Sequence, residues 1–274
     1  MFTISFVLLL FYFSKCNAFR RIVGGRDAQW EEFPYVASWG QIMTKNNNKT
    51  FIQYCTCSFL SPIWAISAGH CIETIRSYRV RDVIMYGKLL PGKIGNYTKV
   101  LITYLHPGYT GSSHVLHVKY DIGLVQTNRI QLPQYGVLSA VDYTTIVGHE
   151  VFVAGYGKTN STDNIYDALS AGKALQVYKG MIGQCGSKLS DFHLRLCVLS
   201  PCQYVAMICG GDSGGPVIHS SGIVGVNCMG ITGCDNYNEF ERLHKHSLAL
   251  KSSSVVQAVI ISWLRGEVSD KRWN

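Results

Sequence analysis

The chain has 274 residues, 47% of them hydrophobic and 15% charged, with 27 glycines and 16 tyrosines. That hydrophobic share can build a packed core and excludes wholesale disorder; the absence of a Gly-X-Y period, a heptad array or a longer repeat excludes collagen, coiled coil and solenoid. The formal net charge of +8 is scattered apart from short clusters such as Arg242 to His246, which reads as a solvated basic face and not as a nucleic-acid site.

Residues 1–18 read as a cleaved signal peptide: the apolar run from Ile4 to Phe13 ends before the small residue Ala18. That run is shorter than the roughly 18 residues a spanning helix needs, and so is the later stretch Val255 to Leu264. The expected location is therefore secreted and extracellular, with no membrane span. Lys15, Arg20 and Arg21 carry three of the positive charges, so a chain starting at Ile22 would carry +5.

Ten cysteines agree with an oxidising compartment. Cys16 would leave with the signal, and the remaining nine leave at least one without an intrachain partner. Cys55 and Cys57 are too close for zinc spacing and no second pair completes a set, so no metal is expected. Glycosylation acceptors occur at Asn48-Lys49-Thr50, Asn96-Tyr97-Thr98 and Asn160-Ser161-Thr162.

Short runs rich in β-branched and aromatic residues recur between Gly, Pro and Asn: Val80 to Tyr86, Val100 to Leu105, Ile122 to Gln126, Glu150 to Ala154 and Ile223 to Val226. They predict an all-β chain of many short strands. Thr127 to Gly148 carries no strong strand signal and is expected to cross between two β units. Ser254 to Leu264 has a helical pattern and is expected to pack outside the fold.

Gly211-Asp212-Ser213-Gly214-Gly215-Pro216 carries the chemistry. Flanking glycines let the backbone turn sharply and expose a hydroxyl together with neighbouring N–H groups. A serine hydroxyl needs a base to take its proton, and the nine histidines leave that choice open.

The order of motifs closes it. Ile22-Val23-Gly24-Gly25 after a basic residue, Ser67-Ala68-Gly69-His70-Cys71, His106-Pro107, Asp121-Ile122-Gly123-Leu124, Val153-Ala154-Gly155-Tyr156-Gly157 and the Gly211–Pro216 hexamer resemble the trypsin/chymotrypsin family of serine proteases from Ile22 to about Leu264. The resemblance implies two packed six-stranded antiparallel β-barrels with a C-terminal helix: 22–130, 131–253 and 254–266 within a peptidase domain of 22–274. It implies Ser213 as nucleophile, His70 as general base, Asp121 as the group that orients it, and the N–H groups of Gly211 and Ser213 as the oxyanion hole. It also implies a zymogen with pro-segment 19–21. A separate activating protease would cut after Arg21, and the freed Ile22 amine would pair with Asp212. The disulfides it implies are Cys55–Cys71, Cys185–Cys197 and Cys209–Cys234. Cys57, Cys202 and Cys228 are left as buried thiols, one unusual bridge plus a thiol, or an intermolecular link.

The family's primary specificity pocket maps to Met207, Ile208, Cys228, Met229 and Gly230. Met207 occupies the base, where trypsin-type enzymes have an aspartate. An apolar Met leaves a buried substrate cation uncompensated, so cleavage after apolar or medium-sized side chains is expected over cleavage after Arg. The expected partners are a protein or peptide substrate and the activating protease, acting on a monomer. The chemistry needs no cofactor, and the Lys-rich stretch Gly87 to Val100 lacks the carboxylates of a calcium loop.

Several positions depart from the family: Gly69 replaces the usual alanine, Cys228 and Met229 a serine and a tryptophan, and Tyr156 another tryptophan. No familiar strand follows Cys234, and Asn236 to Ser254 is polar and basic. The alternative reading is a catalytically weak or inactive homologue that binds or regulates. An α/β-hydrolase is disfavoured because its nucleophile precedes the acid and the histidine in the chain.

Overall fold

The computed structural model describes residues 25–29, 31–78, 82–87, 94–111, 120–158, 174–183, 195–199, 208–230 and 255–260. Its first long element is a hairpin of β2 (Val36–Lys45) and β3 (Asn48–Phe59), paired from Val36↔Ser58 to Lys45↔Asn48 with a one-residue shift of register between Trp39 and Gly40. Asn46 and Asn47 make the two-residue turn at φ 50° and 63°. Asparagine tolerates that left-handed region, and two such residues twist a hairpin correctly.

With β4 (Trp64–Ser67), β5 (Asp82–Tyr86), β6 (Asn96–Leu105) and β7 (Gly123–Thr127), the hairpin closes a barrel in the order β2-β3-β4-β7-β6-β5. One helix, α1 (Gly69–Tyr78), follows β4. At ten residues it is marginal by itself. Ile72 and Ile75, three apart, are both buried and give it a packed face, and Arg76 in the last turn complements the helix dipole.

The second barrel comprises β8 (Glu150–Gly155), β9 (Gln176–Gly183), β10 (Arg195–Leu199), β11 (Pro216–His219), β12 (Gly222–Gly230) and β13 (Val255–Ile260). The strands run β9-β10-β13-β12-β11-β8, and the β8–β9 pairing returns the sheet to its start. The short β1 (Arg26–Asp27) joins β9 of this barrel, with Asp27 opposite Gln176. Between the barrels, 128–149 holds only a 3₁₀ turn (Tyr143–Ile146) and a bridge from Leu138 to Ile223, as expected of a crossing segment.

The helix expected over 254–266 is corrected at Val255–Ile260, which is strand β13, bonded to β10 on one edge and β12 on the other. Four of its six residues are Val or Ile, whose branched Cβ favours the pleated strand. A strand inside a sheet can be apolar on both faces, and over six residues that looks like a buried helical stretch.

One cluster of buried residues joins the barrels. It includes Trp39, Phe59, Ile66 and Ile84 of the first, and Ala154, Val177, Ile218 and Val226 of the second. A second cluster, with Val153, Ile182, Leu196 and Val224, fills the second barrel.

Candidate active site

Asp121 lies where a three-residue turn enters β7. The Ile122 N–H donates to the Tyr120 carbonyl at 2.7 Å, and Tyr120 takes φ 50°, unusual for an aromatic residue. Its ring stacks on His106 with centroids 4.3 Å apart. The turn delivers a carboxylate that is 5% exposed to the start of α1. There Asp121 Oδ1 accepts the His70 backbone N–H at 2.7 Å, and Oδ2 contacts His70 Nδ1 at 2.7 Å. Side-chain Cβ space is tight at this crossing: a Cβ on Gly69 would stand 3.0 Å from the Tyr109 ring and 3.2 Å from Asp121 Oδ1.

Burial disfavours the His70 imidazolium, but the hydrogen bond and charge of Asp121, with a further contribution from Glu73, outweigh it and hold the ring above its ordinary pKa of 6.5. Glu73 is one turn along α1 and accepts the Tyr109 hydroxyl at 2.8 Å. The ring's other nitrogen, Nε2, is 3.7 Å from Cys71 Sγ. Cys71 forms the disulfide with Cys55, Cα–Cα 6.2 Å, and so fastens α1 to β3. Among the described residues, Cys55, His70 and Cys71 bring ligand-type atoms within 4.8 Å of one another. The two sulfurs are bonded to each other and offer no thiolate for a metal.

The Ser213 loop approaches from the second barrel. Gly211 and Gly214 take φ 100° and 84°, conformations that favour glycine. The Asp212 N–H closes a turn on the Cys209 carbonyl at 3.0 Å, and the Gly214 N–H donates to the Asn227 carbonyl at 2.7 Å. Gly214 fits against the segment before His70: a Cβ there would collide with the Ser67 hydroxyl and the Thr56 carbonyl and reach within 3.1 Å of Ala68 N. Ser213 is half-buried, and its carbonyl accepts the Thr56 N–H at 2.8 Å.

Asp212 is fully buried. Its Oδ1 accepts the Gly157 N–H at 2.7 Å and its Oδ2 the Cys209 N–H at 2.8 Å. Gly155 and Gly157 leave room for it, since a Cβ on either would overlap the carboxylate.

The structure thus brings His70, Asp121, Gly211, Asp212 and Ser213 to the junction of the barrels. Ile208 is buried in the second core and Cys228 half-buried on β12, whose end is Met229 and Gly230. Cys197 is disulfide-bonded, Cys209 is buried, and Cys57 is a buried free thiol. Asn48 and Asn96 are exposed, at the first residues of β3 and β6. Arg21, Ile22, Asn160, Cys185, Cys202, Met207 and Cys234 lie outside the described residues. Two residues of β3 that the sequence did not single out, Gln53 and Thr56, also bond the Ser213 loop. Nothing in the sequence distinguishes them from ordinary strand residues.

The trypsin family model matches residues 22–249. The chain belongs to the trypsin family. As a trypsin-family protein it is a serine endopeptidase, a hydrolase, and its two-barrel architecture is that of the family. It is 27% identical over 224 residues to "Fibrinolytic enzyme, isozyme C" of Lumbricus rubellus, covering 77% of this chain and 86% of that one. It is 24% identical over 222 residues to "Trypsin, alkaline B" of Manduca sexta (77% and 81%). A third relative is "Trypsin 5G1" of Aedes aegypti, at 26% over 231 residues (80% and 79%). Among the described residues of this trypsin-family chain, no helix is long and apolar enough to cross a membrane.

Proposed function

We propose that the protein is a secreted serine endopeptidase made as a zymogen, cutting through a Ser213–His70–Asp121 triad. The observation that carries this reading is the double hold of Asp121 on His70, by ring and by backbone. A carboxylate on Nδ1 fixes the tautomer whose Nε2 can take a proton. His70 would accept the Ser213 proton as the hydroxyl attacks the scissile carbonyl, and Asp121 would stabilise the imidazolium. His70 then hands the proton to the leaving amine, and water hydrolyses the acyl-enzyme by the same route in reverse. The N–H groups of Gly211 and Ser213 would receive the oxyanion.

Cleavage after Arg21 by a separate protease would free the Ile22 ammonium to pair with Asp212, the buried carboxylate at the root of the Ser213 loop. The pocket with Met207 at its base would favour Leu, Met, Phe or Tyr over Arg before the scissile bond, so the enzyme would not mature itself. Asn48, Asn96 and Asn160 would carry glycans, and Cys185–Cys197 and Cys209–Cys234 would brace the second barrel.

The test is active-site labelling. The secreted zymogen is cut after Arg21 with trypsin, the trypsin is removed, and a fluorophosphonate is added. Labelling of the cut protein, lost in Ser213→Ala, is expected. A correctly cut, folded protein that does not label would overturn the triad reading and favour the non-catalytic homologue.

A further inference from the structure

We propose that Thr56 is a positioning residue for the reaction, setting the nucleophile against its base across the barrel junction. The proposal rests on Ser213 being the nucleophile.

Thr56 is fully buried in β3 and uses every polar group it has. Its N–H donates to the Ser213 carbonyl at 2.8 Å. Its hydroxyl donates to the Gly211 carbonyl at 2.8 Å and accepts the Tyr156 N–H at 3.1 Å. Its own carbonyl accepts the Ser67 hydroxyl at 2.8 Å. Gln53, 4% exposed, adds a second donor to the Gly211 carbonyl at 3.0 Å.

Two of these bonds reach the loop on either side of Asp212, and one reaches the end of β8. The preceding residue, Cys55, carries the disulfide that fastens α1 beside His70. Residues 55 and 56 therefore tie the base, through the disulfide, and the nucleophile loop, through Thr56, to a single short piece of backbone. The triad is drawn from both barrels, so its geometry is only as good as the joint between them. A displacement of about 1 Å at such a joint can cost about 100-fold in rate.

The hydroxyl is the informative part. The N–H bond to Ser213 needs only a backbone, and any residue supplies it. The side chain alone reaches Gly211 and Tyr156. Valine keeps the shape and removes both bonds, leaving the Tyr156 N–H without its acceptor and the Gly211 carbonyl with Gln53 alone. Serine keeps both.

The experiment compares trypsin-cut wild type, Thr56→Val, Thr56→Ser and Gln53→Met. It reads kcat and KM on a peptide substrate, together with the fluorophosphonate labelling rate and thermal midpoint of each. Thr56→Val is expected to lose about 10- to 100-fold in kcat with KM within a few-fold, and to label correspondingly slowly while still folded. Thr56→Ser is expected to recover most of that loss. Gln53→Met removes the other donor to the same carbonyl and is expected to lose several-fold in kcat. It carries the test alone where Thr56→Val is not secreted. Undiminished kcat in Thr56→Val, or in Gln53→Met when it stands alone, would overturn the proposal, as would a Thr56→Ser as slow as Thr56→Val. Wild type that fails to label would overturn the assignment of Ser213 instead, so the two failures are distinct.

Discussion

Asp121 grips His70 at two points: one carboxylate oxygen holds the ring at Nδ1 and the other the backbone N–H of the same residue, each at 2.7 Å. The imidazole is thus oriented relative to the first turn of its own helix. Asp121→Asn keeps the shape but offers an N–H where the ring also needs to donate. The working tautomer is lost, and kcat is expected to fall about 10⁴-fold, the figure of the general Ser-His-Asp case. Steady-state kinetics of the cut enzyme, beside a far-UV spectrum showing unchanged folding, check this.

Glu73 supports the protonated form of His70 from one turn away. Glu73→Gln keeps an acceptor for the Tyr109 hydroxyl and removes the charge. The imidazolium loses a stabilising neighbour, so its pKa drops. In the proposed triad the base is neutral His70, so the acid limb of kcat/KM is expected to move to lower pH and the variant to keep more activity in mild acid. A pH profile with an unmoved acid limb would show that Glu73 does not reach the ring.

Gly157 stands where a side chain would meet Asp212, with a Cβ 2.5 Å from the carboxylate carbon. The neighbour is a buried carboxylate already bonded on both oxygens, so it has nowhere to go. Gly157→Ala is expected to cost about 1–3 kcal/mol of stability, visible as a lower urea midpoint. It should also lower the fluorophosphonate labelling of the cut protein more than 10-fold, because Asp212 is the root of the Ser213 loop.

Cys57 is fully buried, and burial pushes its thiol well above the ordinary range. The thiolate is the reactive species, so native protein is expected to leave Cys57 unmodified by iodoacetamide at neutral pH and to expose it in denaturant. Peptide mass mapping of both samples decides it.

The two-barrel fold is legible in the order of the sequence motifs, and the same motifs name the residues proposed for the site. Glycines at 211, 214 and 215 report a backbone that must turn tightly beside a serine, and a Gly–His–Cys run reports a base beside an anchored cysteine. Such signals survive in a few residues. The helix α1 has little sequence signal: its apolar face amounts to Ile72 and Ile75, and the Cys71 disulfide and the Arg76 bonds to Thr103 that also hold it are tertiary features. Strand β13 carries no period-two alternation in its sequence, Val-Val-Gln-Ala-Val-Ile, so its place between β10 and β12 shows only in the strand pairing. Thr56 and Gln53 were invisible for another reason. Their partners are carbonyls more than 150 residues away, and a buried polar residue in a strand announces nothing until the strand opposite it is known.

The pairing of β1 with β9 has a consequence for how the enzyme would be switched on. Arg26 is forked onto Glu32, and Asp27 is bound by the Gln176 side chain at 2.7 Å. Gln176 is in turn in register with Gly155, one of the two glycines that make room for Asp212. The new amine at Ile22 would therefore hang on a leash of four residues, at most about 14 Å long, moored at the edge of its own socket. Its search is confined to a small volume, which makes the pairing an intramolecular event. Once the proposed cut is made, insertion would proceed at the same rate however dilute the protein, and a free Ile-Val dipeptide would have to be supplied at high concentration to do the same work without the cut.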